Sequence, residues 1–279
     1  MEPMSAEQLT AEVVDRLDGT PNPRLREVMQ SLVRHLHAFA VEVSITDEEW
    51  MQGIQFLTAT GQKCDDVRQE FILLSDTLGL SSLVDLINHA GDEPGATEPT
   101  ILGPFYVPNS PERAFGASMV EFDDGGEQTI VRGTVTDLAG HPIAGATLDI
   151  WQNSANGFYA VQQPDVQPAT NLRGIFRSQT DGTYEFRTVR PQPYPIPDDG
   201  PVGQLLRDTN RHPFRAAHLH VKVSAPGFIG TTTHVFDAES DYLDSDTVFG
   251  VKGSLIRRFT PDADGQLVCT MDFALREGA

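Results

Sequence analysis

The segment Ala216-Ala217-His218-Leu219-His220-Val221-Lys222-Val223 alternates about two imidazoles. In an extended strand the side-chain period of two sends His218 and His220 to one sheet face and Leu219 and Val221 to the other. Two histidines aimed at a common point suit a metal ion, for which neutral imidazole is a frequent ligand. Hydrogen-bonded core or surface histidines are the alternative for an isolated pair, so the reading turns on what else converges there.

Upstream lie two tyrosines in unusual settings. Tyr159 closes Trp151-Gln152-Asn153-Ser154-Ala155-Asn156-Gly157-Phe158-Tyr159, and Tyr194 sits in Arg190-Pro191-Gln192-Pro193-Tyr194-Pro195-Ile196-Pro197. Residues 190–201 contain five prolines, which predicts a stiff loop rather than a strand, with Tyr194 held at little entropic cost. β-type segments recur between turn signals at 129–135, 146–151, 184–189, 218–223, 231–236 and 266–273. That spacing predicts a mostly antiparallel β-sandwich.

Residues 1–98 read as helices. Met29, Leu32, Val33, Leu36, Ala40 and Val43 form one apolar stripe at helical spacing. Thr46-Asp47-Glu48-Glu49 has the form of a capping box before Trp50, Met51, Ile54 and Leu57, and a further pattern runs through Phe71, Leu74, Leu78, Leu83 and Leu86. Short amphipathic helices cannot bury all these faces against one another, so they are expected to pack on the downstream domain or on a second subunit. A homodimer is the simplest arrangement. Asp92-Glu93-Pro94-Gly95-Ala96-Thr97-Glu98-Pro99 breaks the pattern and marks the expected joint. The fold class expected is α+β, a helical dimerisation or linker region over 1–98 followed by a β-sandwich catalytic domain over 99–279.

At 279 residues and 39% hydrophobic content the chain is ordinary globular protein. Its net charge of -20, from 40 acidic and 20 basic residues, argues against nucleic acid and anionic membrane surfaces as partners. Of these charges 18 acidic and 6 basic fall in residues 1–98. Cys64 and Cys269 are the only cysteines and neither lies in a C-x-x-C, so no disulfide framework is expected and a reducing cytoplasm is the default. The start, Met1-Glu2-Pro3-Met4-Ser5-Ala6-Glu7, has no basic-then-apolar leader, and neither secretion nor a membrane span is expected.

Two imidazoles and two phenols, with no thiolate, argue against a structural zinc site. The set also differs from the two-histidine, one-carboxylate triad of ferrous oxygenases. Ionising an unaided phenol at pH 7 costs about 4 kcal/mol. A trivalent cation reverses that cost, and two phenolates in turn favour ferric over ferrous iron.

The segments 151–159, 193–197 and Arg211-His212-Pro213-Phe214-Arg215-Ala216-Ala217-His218-Leu219-His220 resemble the intradiol ring-cleavage dioxygenases, non-haem iron(III) enzymes that open catechol-type rings. The likeness spans nearly the whole chain. It implies Fe(III), one per subunit, with Tyr159, Tyr194, His218 and His220 as metal ligands, and a small aromatic diol or triol and dioxygen as substrates. Charge counting adds a constraint: a ferric ion with two phenolates and one hydroxide is neutral, and a dianionic catechol preserves neutrality only if one phenolate and the hydroxide leave with its two protons. The resemblance makes Tyr194 the departing ligand and base. Arg215 would stabilise negative charge developing on the ring, with a surface salt bridge as the plainer reading. His234 follows Thr232-Thr233 at a point where catechol-acting relatives usually carry glutamine; it either polarises the pocket or is a satisfied core residue. The helical region is expected to form the subunit contact, and in relatives it encloses a hydrophobic channel that can hold lipid.

Gly103-Pro104-Phe105-Tyr106 resembles the family's pocket wall, and Leu73, Asp76, Ile101, Leu102, Ile196, Pro197, Arg215 and Val248 fall where relatives line the substrate cavity. Most are apolar, which suits a flat neutral ring. Asp76 would accept a hydrogen bond from an extra ring hydroxyl, or cap a helix turn. Residues 194–201 and 241–246 look most like the members that open hydroxyquinol (1,2,4-trihydroxybenzene) to 3-hydroxy-cis,cis-muconate, the enol form of maleylacetate. Cleavage of catechol or chlorocatechol is the alternative within the family, and a β-sandwich binding module is the alternative outside it.

Overall fold

The computed structural model describes residues 3–65, 68–89 and 94–278. The chain divides into two compact units, 1–59 and 60–279. The first holds α1 (Ala6–Asp15), α2 (Pro23–Glu42) and most of α3 (Asp47–Gln62). Each start has a chemical cause. Ser5 and Gln8 form a capping box on α1, and the Asn22 side chain accepts from the N–H groups of Arg24 and Leu25 before Pro23 opens α2. On α3 the expected box is present: the Thr46 hydroxyl accepts the Glu49 N–H at 3.2 Å and the Glu49 carboxylate accepts the Thr46 N–H at 2.9 Å.

The predicted stripe on α2 is there, but it is open to solvent. Leu32, Leu36 and Val43 are 51%, 58% and 51% exposed, and no residue of α1 or α2 is buried. Trp50, Met51, Ile54 and Leu57 on α3 are exposed as well. None of the described helices is long and apolar enough to cross a membrane.

In the second unit the pattern through 71–86 splits into α4 (Glu70–Thr77) and α5 (Leu80–His89). The break falls at Gly79, whose φ of +74° is a left-handed value that glycine adopts without strain. Of the expected joint, Asp92 and Glu93 lie outside the described residues, and 94–99 carry neither helix nor strand.

The strands are β1 (Gln128–Asp137), β2 (Thr147–Trp151), β3 (Arg173–Arg177), β4 (Thr183–Val189), β5 (Tyr194–Pro195), β6 (Phe214–Arg215), β7 (His218–Ser224), β8 (Thr231–Asp237), β9 (Ile256–Arg257), β10 (Phe259–Pro261), β11 (Leu267–Thr270) and β12 (Phe273–Leu275). One sheet runs β3-β2-β7-β8-β9; the other gathers β4, β11 and β12 around β1, with β10 beyond β11. Val131, Val135 and Phe186 of the second sheet share one core with Leu148, Ile150, Leu219, Val221 and Val235 of the first. This is the expected sandwich. Pairing is mostly antiparallel, with β1–β11, β1–β12 and β8–β9 parallel.

Three local expectations need correction. The segment 266–273 is two strands, because the Asp272 carboxylate takes the Thr134 N–H at 2.8 Å in place of a backbone partner. The proline-rich stretch is not wholly loop: Tyr194 and Pro195 pair with Arg215 and Phe214, a ladder that prolines confine to two residues. The stretch ends in a helix, α6 (Pro201–Asp208), whose capping residue Gly200 has no side chain; buried Glu70 accepts the Val202 N–H at 3.1 Å instead.

Candidate metal centre

β7 lies between β2 and β8 at the middle of its sheet. The strand period turns His218 and His220 away from Leu219 and Val221, which enter the core. His218 donates Nδ1–H to the Ala216 carbonyl at 2.6 Å, so its Nε2 carries the lone pair. That Nε2 stands 3.1 Å from Nε2 of His220, which in turn stands 3.1 Å from Oη of Tyr159. The Tyr194 ring centroid is 5.3 Å from that of Tyr159 and 5.5 Å from that of His218. Backbone geometry delivers both tyrosines: Tyr159 follows the turn at Gly157, φ +85°, and Tyr194 is fixed opposite Arg215 by the short ladder. All four predicted ligands are buried.

Neighbouring rings fix their planes. Trp151 lies flat on His220, centroids 4.7 Å apart and planes at 11°, while Phe105 stacks on Tyr159 at 4.6 Å. Burial pushes the His218 and His220 imidazoles well below their ordinary pKa, and the Arg215 charge adds to the effect. Burial, reinforced by Tyr194, pushes the Tyr159 phenol well above its ordinary pKa. Burial thus favours the neutral forms of His218, His220 and Tyr159, and the cluster offers two imidazole and two phenol donors in a low-dielectric pocket. Only a highly charged cation compensates for ionising a buried phenol, and oxygen and nitrogen donors without thiolate suit a hard ferric ion. The residues present fit iron(III).

Arg215 adjoins this cluster. Its Nη1 is 3.2 Å from Nε2 of His218, and Nε and Nη2 face the Asp246 carboxylate at 3.2 and 3.4 Å. Both partners are buried, which replaces the surface salt bridge that the sequence left open. Burial opposes the guanidinium charge, yet Asp246 and the two phenols hold its pKa above the ordinary value. His234 is also buried, with Nε2 2.8 Å from Nδ1 of His220. Among the described residues His218, His220 and His234 form a trio with ligand atoms within 4.8 Å of one another.

The pocket candidates separate by environment. Gly103 is against the cluster: with φ +76°, a Cβ there would lie 3.1 Å from Cε1 of His220. Phe105 touches both tyrosine rings. Leu73 and Asp76 are buried on α4, and Ile196 and Val248 are buried too. Burial raises the Asp76 carboxyl pKa, opposed by a hydrogen bond from Ser81 and by the Arg215 charge. Ile101 and Pro197 are half-buried, whereas Leu102 and Pro104 are exposed rather than enclosed.

Three residues of the site escaped sequence reasoning. Asp246 was one of several loop aspartates with nothing to single it out. Trp151 was seen in its motif but not as the plate behind His220. Arg173 is 2% exposed, pairs with Trp151 across β2 and β3, and donates from Nη2 to the Phe105 carbonyl at 2.6 Å; a charge between Leu172 and Gly174 is informative only once that strand is known.

Residues 101–277 match the Dioxygenase family, and residues 22–95 match the Catechol dioxygenase N terminus family. The chain is 51% identical over 275 residues to the 6-chlorohydroxyquinol 1,2-dioxygenase of Cupriavidus pinatubonensis, covering 99% of each chain. It is 50% identical to the hydroxyquinol 1,2-dioxygenase of a Rhizobium species, over 96% of this chain and 90% of that one. The crystal structure of hydroxyquinol 1,2-dioxygenase from Pseudomonas putida DLL-E4 superposes with a TM-score of 0.93 at 48% identity, covering 98% of this chain and 99% of the other. With likeness at these levels running from end to end, the chain belongs to the intradiol ring-cleavage dioxygenases, a family that depends on non-haem iron.

Proposed function

We propose that this protein opens hydroxyquinol with dioxygen, cleaving the ring between the two adjacent hydroxyl-bearing carbons and yielding 3-hydroxy-cis,cis-muconate, the enol form of maleylacetate. The observation that carries the reading is the convergence of Tyr159, Tyr194, His218 and His220 beside a buried, paired Arg215. Those four would hold Fe(III), one per subunit. Iron held there would supply Lewis-acid activation of the diol toward dioxygen.

The chain's own residues do the rest. Tyr194 takes a substrate proton at its Oη as the diol enters. Arg215, braced by Asp246, presents Nη1 to negative charge growing on the ring, and a buried preorganised donor of that kind acts strongly. Gly103, Phe105, Ile196 and Val248 supply the flat apolar walls, with Leu73, Ile101 and Pro197 beside them and the exposed Leu102 and Pro104 at the rim. Asp76 accepts the third ring hydroxyl. Relatives whose names specify hydroxyquinol and 6-chlorohydroxyquinol support that substrate class.

Residues 1–98 serve subunit association in this reading, with 99–279 as the catalytic domain. The open face of α2, bearing Leu25, Leu32, Leu36 and Phe39, is large and apolar, as a homodimer contact requires. The substrate assignment is tested by comparing kcat/KM for hydroxyquinol, 6-chlorohydroxyquinol, catechol and chlorocatechols. Hydroxyquinol should exceed catechol by more than tenfold, and a clear preference for catechol would overturn it.

A further inference from the structure

His220 has two ring nitrogens, and only its Nε2 faces Tyr159 and His218. Neutral imidazole carries one proton, so Nε2 can be a metal ligand only if that proton sits on Nδ1. His218 has its tautomer set by the Ala216 carbonyl, which can only accept. Among the described residues no carbonyl or carboxylate does this for His220; the group at its Nδ1 is Nε2 of His234, at 2.8 Å. The two residues are direct cross-strand partners on β7 and β8. Phe236 and His218 pack on the His234 ring, with centroids 5.2 and 4.5 Å away.

The structure assigns to His234 a positioning role: its Nε2 accepts the Nδ1–H of His220 and so leaves the lone pair of His220 Nε2 directed at the metal position. His234 is then no ligand, although the three histidines cluster, because its Nε2 is engaged on the side of the His220 ring away from the tyrosine. Its Nδ1 is buried and has no hydrogen-bond partner among the described residues. That nitrogen is therefore free to carry the His234 proton without breaking another bond, and the accepting tautomer is accessible. Outer partners of this kind are typically worth 10-fold to 100-fold in metal affinity.

The inference rests on the iron reading, and its test separates the two. His234→Gln keeps an accepting oxygen within reach of His220 Nδ1, whereas His234→Leu keeps bulk and loses the acceptor. Iron affinity by chelator competition, with the position of the phenolate-to-iron absorption band, should match wild type within about threefold in H234Q and weaken by about 10-fold to 100-fold in H234L. Equal affinity and an unchanged band in both variants would reduce His234 to packing, and equal loss with a changed band in both would make it a ligand. Should H234L fail to fold, proton NMR of the ferric wild-type protein decides: two exchangeable, hyperfine-shifted histidine Nδ1–H signals are expected, and a single one would overturn the assignment. Iron-free wild-type protein would instead sink the functional reading.

Discussion

Asp246 grips Arg215 through both carboxylate oxygens, at 3.2 and 3.4 Å, while its Oδ2 also accepts the Gly250 N–H at 2.9 Å. The guanidinium is thus fixed before substrate arrives, with Nη1 turned to His218. Removing a preorganised donor for developing negative charge costs roughly 10²- to 10³-fold in kcat. Arg215→Ala should therefore lose that much turnover in steady-state oxygen uptake while retaining iron by elemental analysis. Unimpaired uptake would remove Arg215 from the mechanism.

Asp76 is buried on α4 within the electrostatic reach of Arg215. A site built to pair a substrate hydroxyl discriminates against analogues that lack it, because its own polar group is otherwise left unmatched. Asp76→Leu should lower kcat/KM for hydroxyquinol by about 10-fold or more and leave that for catechol within a few-fold. Parallel losses on both substrates would assign Asp76 to the helix turn.

Glu70 is fully buried, accepts the Val202 N–H at 3.1 Å and pairs with Arg68. It ties the start of α6 to the start of α4. Breaking a buried charge pair typically costs about 3 to 5 kcal/mol, and the 22% exposure of the Arg68 side chain favours the lower end. Glu70→Ala should reduce unfolding stability by about 3 kcal/mol in urea denaturation. A change below about 0.5 kcal/mol would mean that the α6 start is held by other contacts.

Leu36 on α2 is 58% exposed. Placing a charge within a buried apolar contact is strongly disfavoured, so Leu36→Glu should shift sedimentation from dimer to monomer at micromolar protein. A wild-type chain that already sediments as a monomer would contradict the proposed association.

Much of the sandwich was legible because β-type segments recur between turn signals and because β7 alternates, so that a one-residue shift would have turned Leu219, Val221 and Val223 outward. Alternation aims His218 and His220 at one face, whereas Tyr159 and Tyr194 stood out by their turn and proline contexts and were named as ligands through the family resemblance. What stayed hidden depends on single side chains replacing backbone groups. The Asp272 carboxylate splits β11 from β12, and Glu70 accepts the Val202 N–H at the start of a helix 132 positions along the chain. The exposed helical stripes were read correctly as apolar, but periodicity names a face without naming what covers it. His234 was visible as a third histidine; that its Nε2 meets Nδ1 of His220 is a matter of rotamer and register.

The central claim is that Tyr159, Tyr194, His218 and His220 together hold one ferric ion. Elemental analysis of active protein combined with visible absorption tests it most directly. One iron per chain is predicted, with a red-brown phenolate-to-iron band that shifts when hydroxyquinol is added without oxygen. Active protein that is colourless and free of iron would contradict it.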